Sequence, residues 1–197
     1  MKAKEIIDEI IRTGLGPVLK AEGFRKAART FRHTDTSDAT KIVNIQASQW
    51  GTAEDGQFTI NLGVYFPVVA VLHDIYPERD SPRACDCLVQ ERIGSLMPIG
   101  QDFWWQVTST SNIEQLADEI VFVWHQCAKP WLDRHSELAA AQEFVSSKYG
   151  SNFITAMFLM ARGHRDEAAA LVRTSISEGR DNDGRFARWA KSHNLDV

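Results

Sequence analysis

Residues 41–66, KIVNIQASQWGTAEDGQFTINLGVYF, decide the fold. In the first run, residues 42–50, Val43, Ile45 and Ala47 alternate with Asn44, Gln46 and Ser48. In the second, residues 58–66, Phe58, Ile60, Leu62, Val64 and Phe66 alternate with Thr59, Asn61, Gly63 and Tyr65. A period of two sends successive side chains to opposite faces of a sheet, and β-branched and aromatic residues suit that pleated surface. The connector at 51–57 has two glycines and an Asp; it is too long for a two-residue turn and suits an open hairpin loop. The spacing therefore predicts an antiparallel pair with one apolar and one polar face. Solvated strand faces usually carry charge, whereas this one offers Asn44, Gln46, Ser48, Thr59 and Asn61, neutral groups that donate and accept. Two readings stay open: a surface that contacts a partner, or groups that satisfy one another or loop backbone beneath C-terminal helices.

Outward from this hairpin, Ile6, Ile7, Ile10 and Ile11 fall at helical spacing in residues 3–13. Pro17 suits the first turn of a short helix over 17–22, and Gly23 the left-handed position past its end, with Phe24 packing back. These helices are expected on the apolar sheet face. Residues 25–32 read as a first strand, where Lys26, Arg29, Arg32 and His33 form a basic cluster. Such a cluster either holds an anion or protects an edge strand from pairing with other chains. Three prolines make 67–82 an irregular excursion with one helical turn. Residues 83–94 and 102–107 read as further strands, and Ser111 with Glu114 fits a capping box opening a helix that ends before Pro130. Amphipathic helices follow at 136–148, 152–162, 165–178 and 183–193, broken by glycines, and 152–178 resembles one helix pair of tetratricopeptide type.

The expected fold is α+β: an antiparallel sheet of four or five strands, N-terminal helices on one face, and a C-terminal helical bundle. Residues 1–135 form the sheet domain and 136–197 a helical extension packed on it. A chain of 197 residues is long enough for a core without staples, and its net charge of −4 argues against a general nucleic-acid binder. Three cysteines make no disulfide framework, so a reducing cytoplasm is the expected location. Acidic residues interrupt the N-terminal apolar pattern, which speaks against a signal peptide, and no apolar run approaches the roughly 20 residues of a membrane span.

A set of motifs then points to a family. Leu19-x3-Gly23-Phe24-x-Lys26-x2-Arg29-x-Phe31 resembles the opening of a bacterial family catalogued as domain of unknown function 4304. So do Asn44-x-Gln46-x-Ser48, Phe58-x2-Asn61-x-Gly63-Val64, Arg92-Ile93-Gly94-x-Leu96 and the pair Trp104-Trp105. The likeness covers roughly residues 5–135. It implies an α+β domain and no catalytic residues.

Catalytic signatures are absent from the chain. Cys85-x-Cys87 with His73 and Asp74 lacks the spacing and second pair of a zinc site; two thiols on one strand face pack as small hydrophobes. No metal and no cofactor is expected. Gly14-Leu15-Gly16 lacks the third glycine and preceding strand of a dinucleotide site, and no G-x-S-x-G elbow occurs. What remains is the polar sheet face. If the later strands join in phase, Gln90, Arg92, Trp104 and Gln106 extend the row of Asn44, Gln46, Ser48 and Asn61, and Arg with Trp is a composition that interface hot spots favour. The opposing reading makes Trp104 core and pairs Arg92 with a buried carboxylate. The chain is accordingly expected to be a non-enzymatic cytoplasmic module that holds a protein partner in an immunity-like or regulatory role. The alternative is an enzyme or small-ligand binder that uses the basic segment and the same face for an anionic substrate. Its oligomeric state is left open.

Overall fold

A computed structural model of the chain describes residues 1–197 apart from 35, 37, 53, 74–78 and 182. Helices α1 (Ala3–Thr13) and α2 (Leu15–Ala21) precede strands β1 (Arg25–Ala27), β2 (Thr30–Thr34), β3 (Thr40–Ala47) and β4 (Asp55–Tyr65). Then come α3 (Pro67–Ala70), β5 (Val89–Arg92), α4 (Ile93–Leu96), β6 (Trp105–Thr108) and α5 (Ile113–Val123). The chain ends in α6 (Lys129–His135), α7 (Leu138–Tyr149), α8 (Asn152–Ala161), α9 (Arg165–Ser177) and α10 (Arg185–Ser192).

The architecture is α+β with an antiparallel sheet, and the two alternating runs pair as their period predicts, Val43 opposite Leu62 and Asn44 opposite Asn61. Among the described residues the sheet has six strands in the order β1-β2-β3-β4, with β5 and β6 both on the outer edge of β4. There β5 pairs with Asn61–Val64 and β6 with Asp55–Phe58. The count exceeds the expected four or five because 25–34 is a hairpin, Ala27 opposite Thr30, and not one strand. Its two-residue turn begins at Ala28, with φ 53°, a region that an alanine seldom enters.

Packing groups the chain into two units. The first, residues 1–65 and 81–133, holds the sheet. Its core lies between the face bearing Phe31, Val43, Ile45, Phe58, Ile60, Leu62 and Trp105 and the helices α1, α2 and α5. Each such side chain, fully buried, contributes about 1.5–3 kcal/mol. Gly14 is more than a helix break: a Cβ there would meet the Ala117 Cβ and carbonyl at 2.9 Å, so the glycine lets α1 and α5 approach closely. The α5 cap is Asn112, whose side chain accepts the Gln115 N–H at 3.1 Å. Ser111, the expected cap, instead accepts the Thr108 N–H at 2.8 Å and closes the preceding turn.

Two segments depart from expectation for clear local reasons. Residues 83–88 are not strand: the Asp86 carboxylate accepts the Arg83 backbone N–H at 2.8 Å and closes a 3-10 turn at Ala84–Asp86, an example of a side chain competing with the ladder. Nor does Pro130 end the helix before it. Proline lacks a donor and its ring clashes with the carbonyl four residues back. A π turn at Trp124–Ala128, with the Lys129 N–H reaching the Trp124 carbonyl, widens the helix there and lets α5 run on into α6.

The second unit, residues 66–80 and 134–197, gathers the proline-bearing excursion with the C-terminal helices rather than with the sheet. There α8 and α9 pack as a helical hairpin. Phe153 stacks on Phe186 at 5.2 Å and meets the edge of Trp189 at 5.3 Å, and Trp189 Nε1–H donates to the Leu72 carbonyl at 2.6 Å.

Candidate functional site

Register determines which side chains share the polar face. Thr30 lies opposite Asn44, Asn44 opposite Asn61, and Asn61 opposite Arg92, so one row crosses four strands, and Gln46 opposite Thr59 forms the next. Trp104 stands one residue before the Phe58–Trp105 pair, level with Thr59 on the same side. Near Gly63 that side is closed by the 84–87 turn, with Cys87 Sγ 2.8 Å from where a Gly63 Cβ would stand. Gln46 is exposed, and Asn44, Asn61, Arg92 and Trp104 are half-buried.

These groups form one hydrogen-bonded chain. Asn44 donates to Thr30 Oγ1 at 2.9 Å. The Asn61 amide is the hub: its Nδ2 donates to Asn44 Oδ1 at 3.3 Å and Gln46 Oε1 at 2.8 Å, and its Oδ1 accepts Arg92 Nε–H at 3.2 Å. Arg92 Nη1 reaches both Asp102 oxygens at 2.9 Å. Asp102 also accepts Trp104 Nε1–H at 3.0 Å, and the guanidinium carbon lies 5.3 Å from the Trp104 ring centre. The indole N–H first, and the Arg92 guanidinium after it, hold the Asp102 carboxyl below the usual carboxylate range, against the opposing pull of burial. Arg92 therefore pairs with an exposed carboxylate, not a buried one: the Asp102 side chain is 54% accessible and that of Arg92 35%.

The structure thus brings together Asn44, Gln46, Asn61, Arg92 and Trp104, and leaves Ser48 apart, its Oγ accepting the Trp50 N–H at 3.1 Å at the mouth of the hairpin loop. Sequence reading missed Asp102, although its place two residues before Trp104 on a strand approach was the available signal. It missed Thr30 because β2 begins later than expected. It also passed over Trp50, which is 95% exposed in the loop.

Thr59 is the discordant member. It is fully buried, and its hydroxyl has no partner among the described residues. An orphaned buried hydroxyl costs about 1–3 kcal/mol. Thr59→Val, which keeps the shape, is expected to raise stability by about 1 kcal/mol in urea unfolding; a loss of that size means the hydroxyl is satisfied after all.

The basic segment does not gather. Arg29 pairs with Asp8 at 2.7 Å, Arg32 donates to the Pro82 carbonyl at 2.6 Å, and Lys26 lies over the Phe31 ring at 5.6 Å. Strand alternation and the Ala28 turn send these side chains to different sides of the hairpin. Likewise Cys85 is exposed and Cys87 buried, because a 3-10 turn replaces the strand that would have aligned them. Among the described residues no three His, Cys, Asp or Glu side chains converge as metal ligands; Asp74 lies outside those residues. Burial pushes the Cys87 thiol far above its ordinary pKa. Since the thiolate is the reactive form, iodoacetamide at mildly alkaline pH should label Cys85 promptly and Cys87 only on unfolding, as peptide mass mapping would show.

Fold and face together define the class: an α+β protein whose antiparallel sheet carries an amide row joined to an Arg–Asp–Trp cluster. The family of a domain of unknown function (DUF4304) matches residues 15–134, more than half of the chain, and the chain belongs to that family. Every member of the hydrogen-bonded row lies inside the matched stretch. Neither the curated proteins nor the solved structures returned a match. Among the described residues no helix is long and apolar enough to cross a membrane.

Proposed function

We propose that this chain is a non-enzymatic module that holds a protein partner against the polar face of its sheet, in an immunity-like or regulatory role in a bacterial cytoplasm. The observation that carries the reading is what the network leaves over. Arg92 spends Nε on Asn61 and Nη1 on Asp102, and its Nη2 has no partner among the described residues. Gln46 is exposed and receives a bond at its oxygen, with its own amide hydrogens unmatched among the described residues. Bonded this way, Arg92 is held in one orientation against Trp104, so little side-chain entropy remains to be lost on docking. A rigid, half-buried Arg92 braced on Trp104, with unmatched donors on Arg92 Nη2 and the Gln46 amide, suits a partner surface rich in carbonyls or carboxylates.

The test compares affinity capture from the source cytoplasm by the intact chain and by Arg92→Ala and Trp104→Ala. Each change should weaken capture by at least about thirtyfold, the effect of losing a hot-spot residue of 2 kcal/mol, with far-UV circular dichroism unchanged. A partner retained by both variants rejects this face.

A further inference from the structure

A cleft of about 80 Å³ opens in the first unit, with Glu22, Lys41, Trp124, Lys129 and Asp133 in its walls. His33 and Lys41 are paired across β2 and β3 and share the side of Phe31 and Val43, so the cleft lies on the helix-covered side of the sheet, opposite the amide row. We propose that it is a binding site for a small zwitterion, a molecule of amino-acid type that carries one ammonium and one carboxylate on a short stem.

The walls are built by specific backbone devices. Gly23, at φ 87°, turns the chain after α2, and the Phe24 N–H bonds to the Leu19 carbonyl at 2.9 Å, which sets Glu22 and Phe24 on either side of the turn. A Cβ at Gly23 would lie 3.0 Å from His33 Nδ1, so the residue also lets the imidazole close the floor. The π turn supplies the opposite wall. In a regular α-helix residues 124 and 129 point in different directions; one π turn stacks them, as the bond from the Lys129 N–H to the Trp124 carbonyl shows. Asp133, four residues on, continues the column. Trp124, Lys129 and Asp133 therefore face the cleft together because of the inserted residue that Pro130 requires.

Charge alternates around the rim. Glu22 Oε2 lies 3.5 Å from Lys129 Nζ, Lys129 Nζ 3.1 Å from Asp133, and Lys41 Nζ 2.8 Å from Asp133. The formal charges of these four cancel, so neither a simple anion nor a simple cation is favoured. Satisfaction is uneven, however. Asp133 takes two short bonds, whereas among the described residues Glu22 is held only by the 3.5 Å contact and by Trp124 Nε1–H at 3.3 Å. Lys41 is 15% accessible and donates to Asp133, leaving two ammonium hydrogens unmatched among the described residues. The acceptor in want of a donor is Glu22, and the donor in want of an acceptor is Lys41. A ligand ammonium on Glu22 with its carboxylate on Lys41 and Lys129 meets both wants. Phe24, Trp124 and Leu132 would pack on the stem. The volume holds roughly five waters, which matches a solute of five to seven non-hydrogen atoms.

The test titrates the chain with glycine, L-alanine and β-alanine, and with acetate and methylammonium at equal ionic strength as one-charge controls. Binding is read from the NMR cross-peak of the Trp124 indole N–H, assigned with Trp124→Phe. A saturable shift with at least one zwitterion is expected, more than about tenfold tighter than with either control, since each lost charged contact is worth that much. Glu22→Gln and Lys41→Met should each weaken it by a similar factor, while Arg92→Ala leaves it unchanged. No saturable shift with any zwitterion, controls that bind equally well, or binding that survives in whichever of the two cleft variants is folded overturns the proposal.

Discussion

Gly94→Ala is expected to lower stability by about 3 kcal/mol and to dismantle the Arg92–Asp102 pair with it. A Cβ at position 94 would collide with the Gln101 carbonyl oxygen and stand 2.6 Å from the Phe103 nitrogen and 2.7 Å from the Phe103 Cβ. Two of those three atoms are backbone, so no rotamer change relieves the clash, and the segment that carries Asp102 must move. Asp102 is the group that holds both Arg92 and Trp104, and its displacement releases the two residues to which we assign the proposed partner capture. Gly100→Ala is the control. Gly100 has φ 62°, and a methyl group there would meet nothing within 4 Å, so that change should cost only about 1–2 kcal/mol of backbone strain. Urea unfolding of the two variants separates close approach from backbone freedom; equal losses would remove the explanation.

The second large effect is expected at Trp189. It is buried, touches Phe153, lies 4.8 Å from the His193 ring and donates to the Leu72 carbonyl at 2.6 Å. Trp189→Ala should cost about 3–5 kcal/mol, from lost packing and the cavity left behind, and it also strands a carbonyl. Trp189→Phe keeps most of the ring contact and loses the hydrogen bond, so about 1–2 kcal/mol is expected. The two units need not unfold together, and a transition that splits in Trp189→Ala assigns the lost part to the C-terminal helices. A single unshifted transition contradicts the role given to this residue.

Much of the site was legible because its logic is local. The period of two in 41–66 assigns Asn44, Gln46 and Asn61 to one side whatever lies around them, and a partner strand in phase brings Arg92 to the same row. Other features defeated local reading. The turn at Ala28 carries no glycine, asparagine or aspartate to announce it, so the segment reads as one strand where two exist. Cys85, Cys87 and Val89 alternate like strand residues, but the Asp86 side chain captures the Arg83 amide first. Pro130 reads as a helix stop, and only the structure reveals the π turn at Trp124–Ala128 that carries the helix past it.

By itself the sequence determined that this chain is an α+β protein built around one antiparallel hairpin, and that the hairpin has an amide-bearing side. Alternation and helical period depend only on backbone geometry, and they survive any change of surroundings. Tertiary structure alone decided how those amides are used: which of them bond to each other, that Asp102 fastens Arg92 to Trp104, and that Glu22, Lys41 and Lys129 meet around one cleft. Apart from the bond between Asp102 and Trp104, these contacts join residues from ten to about a hundred positions apart, set by strand register and helix phase, and no local pattern in the chain encodes them.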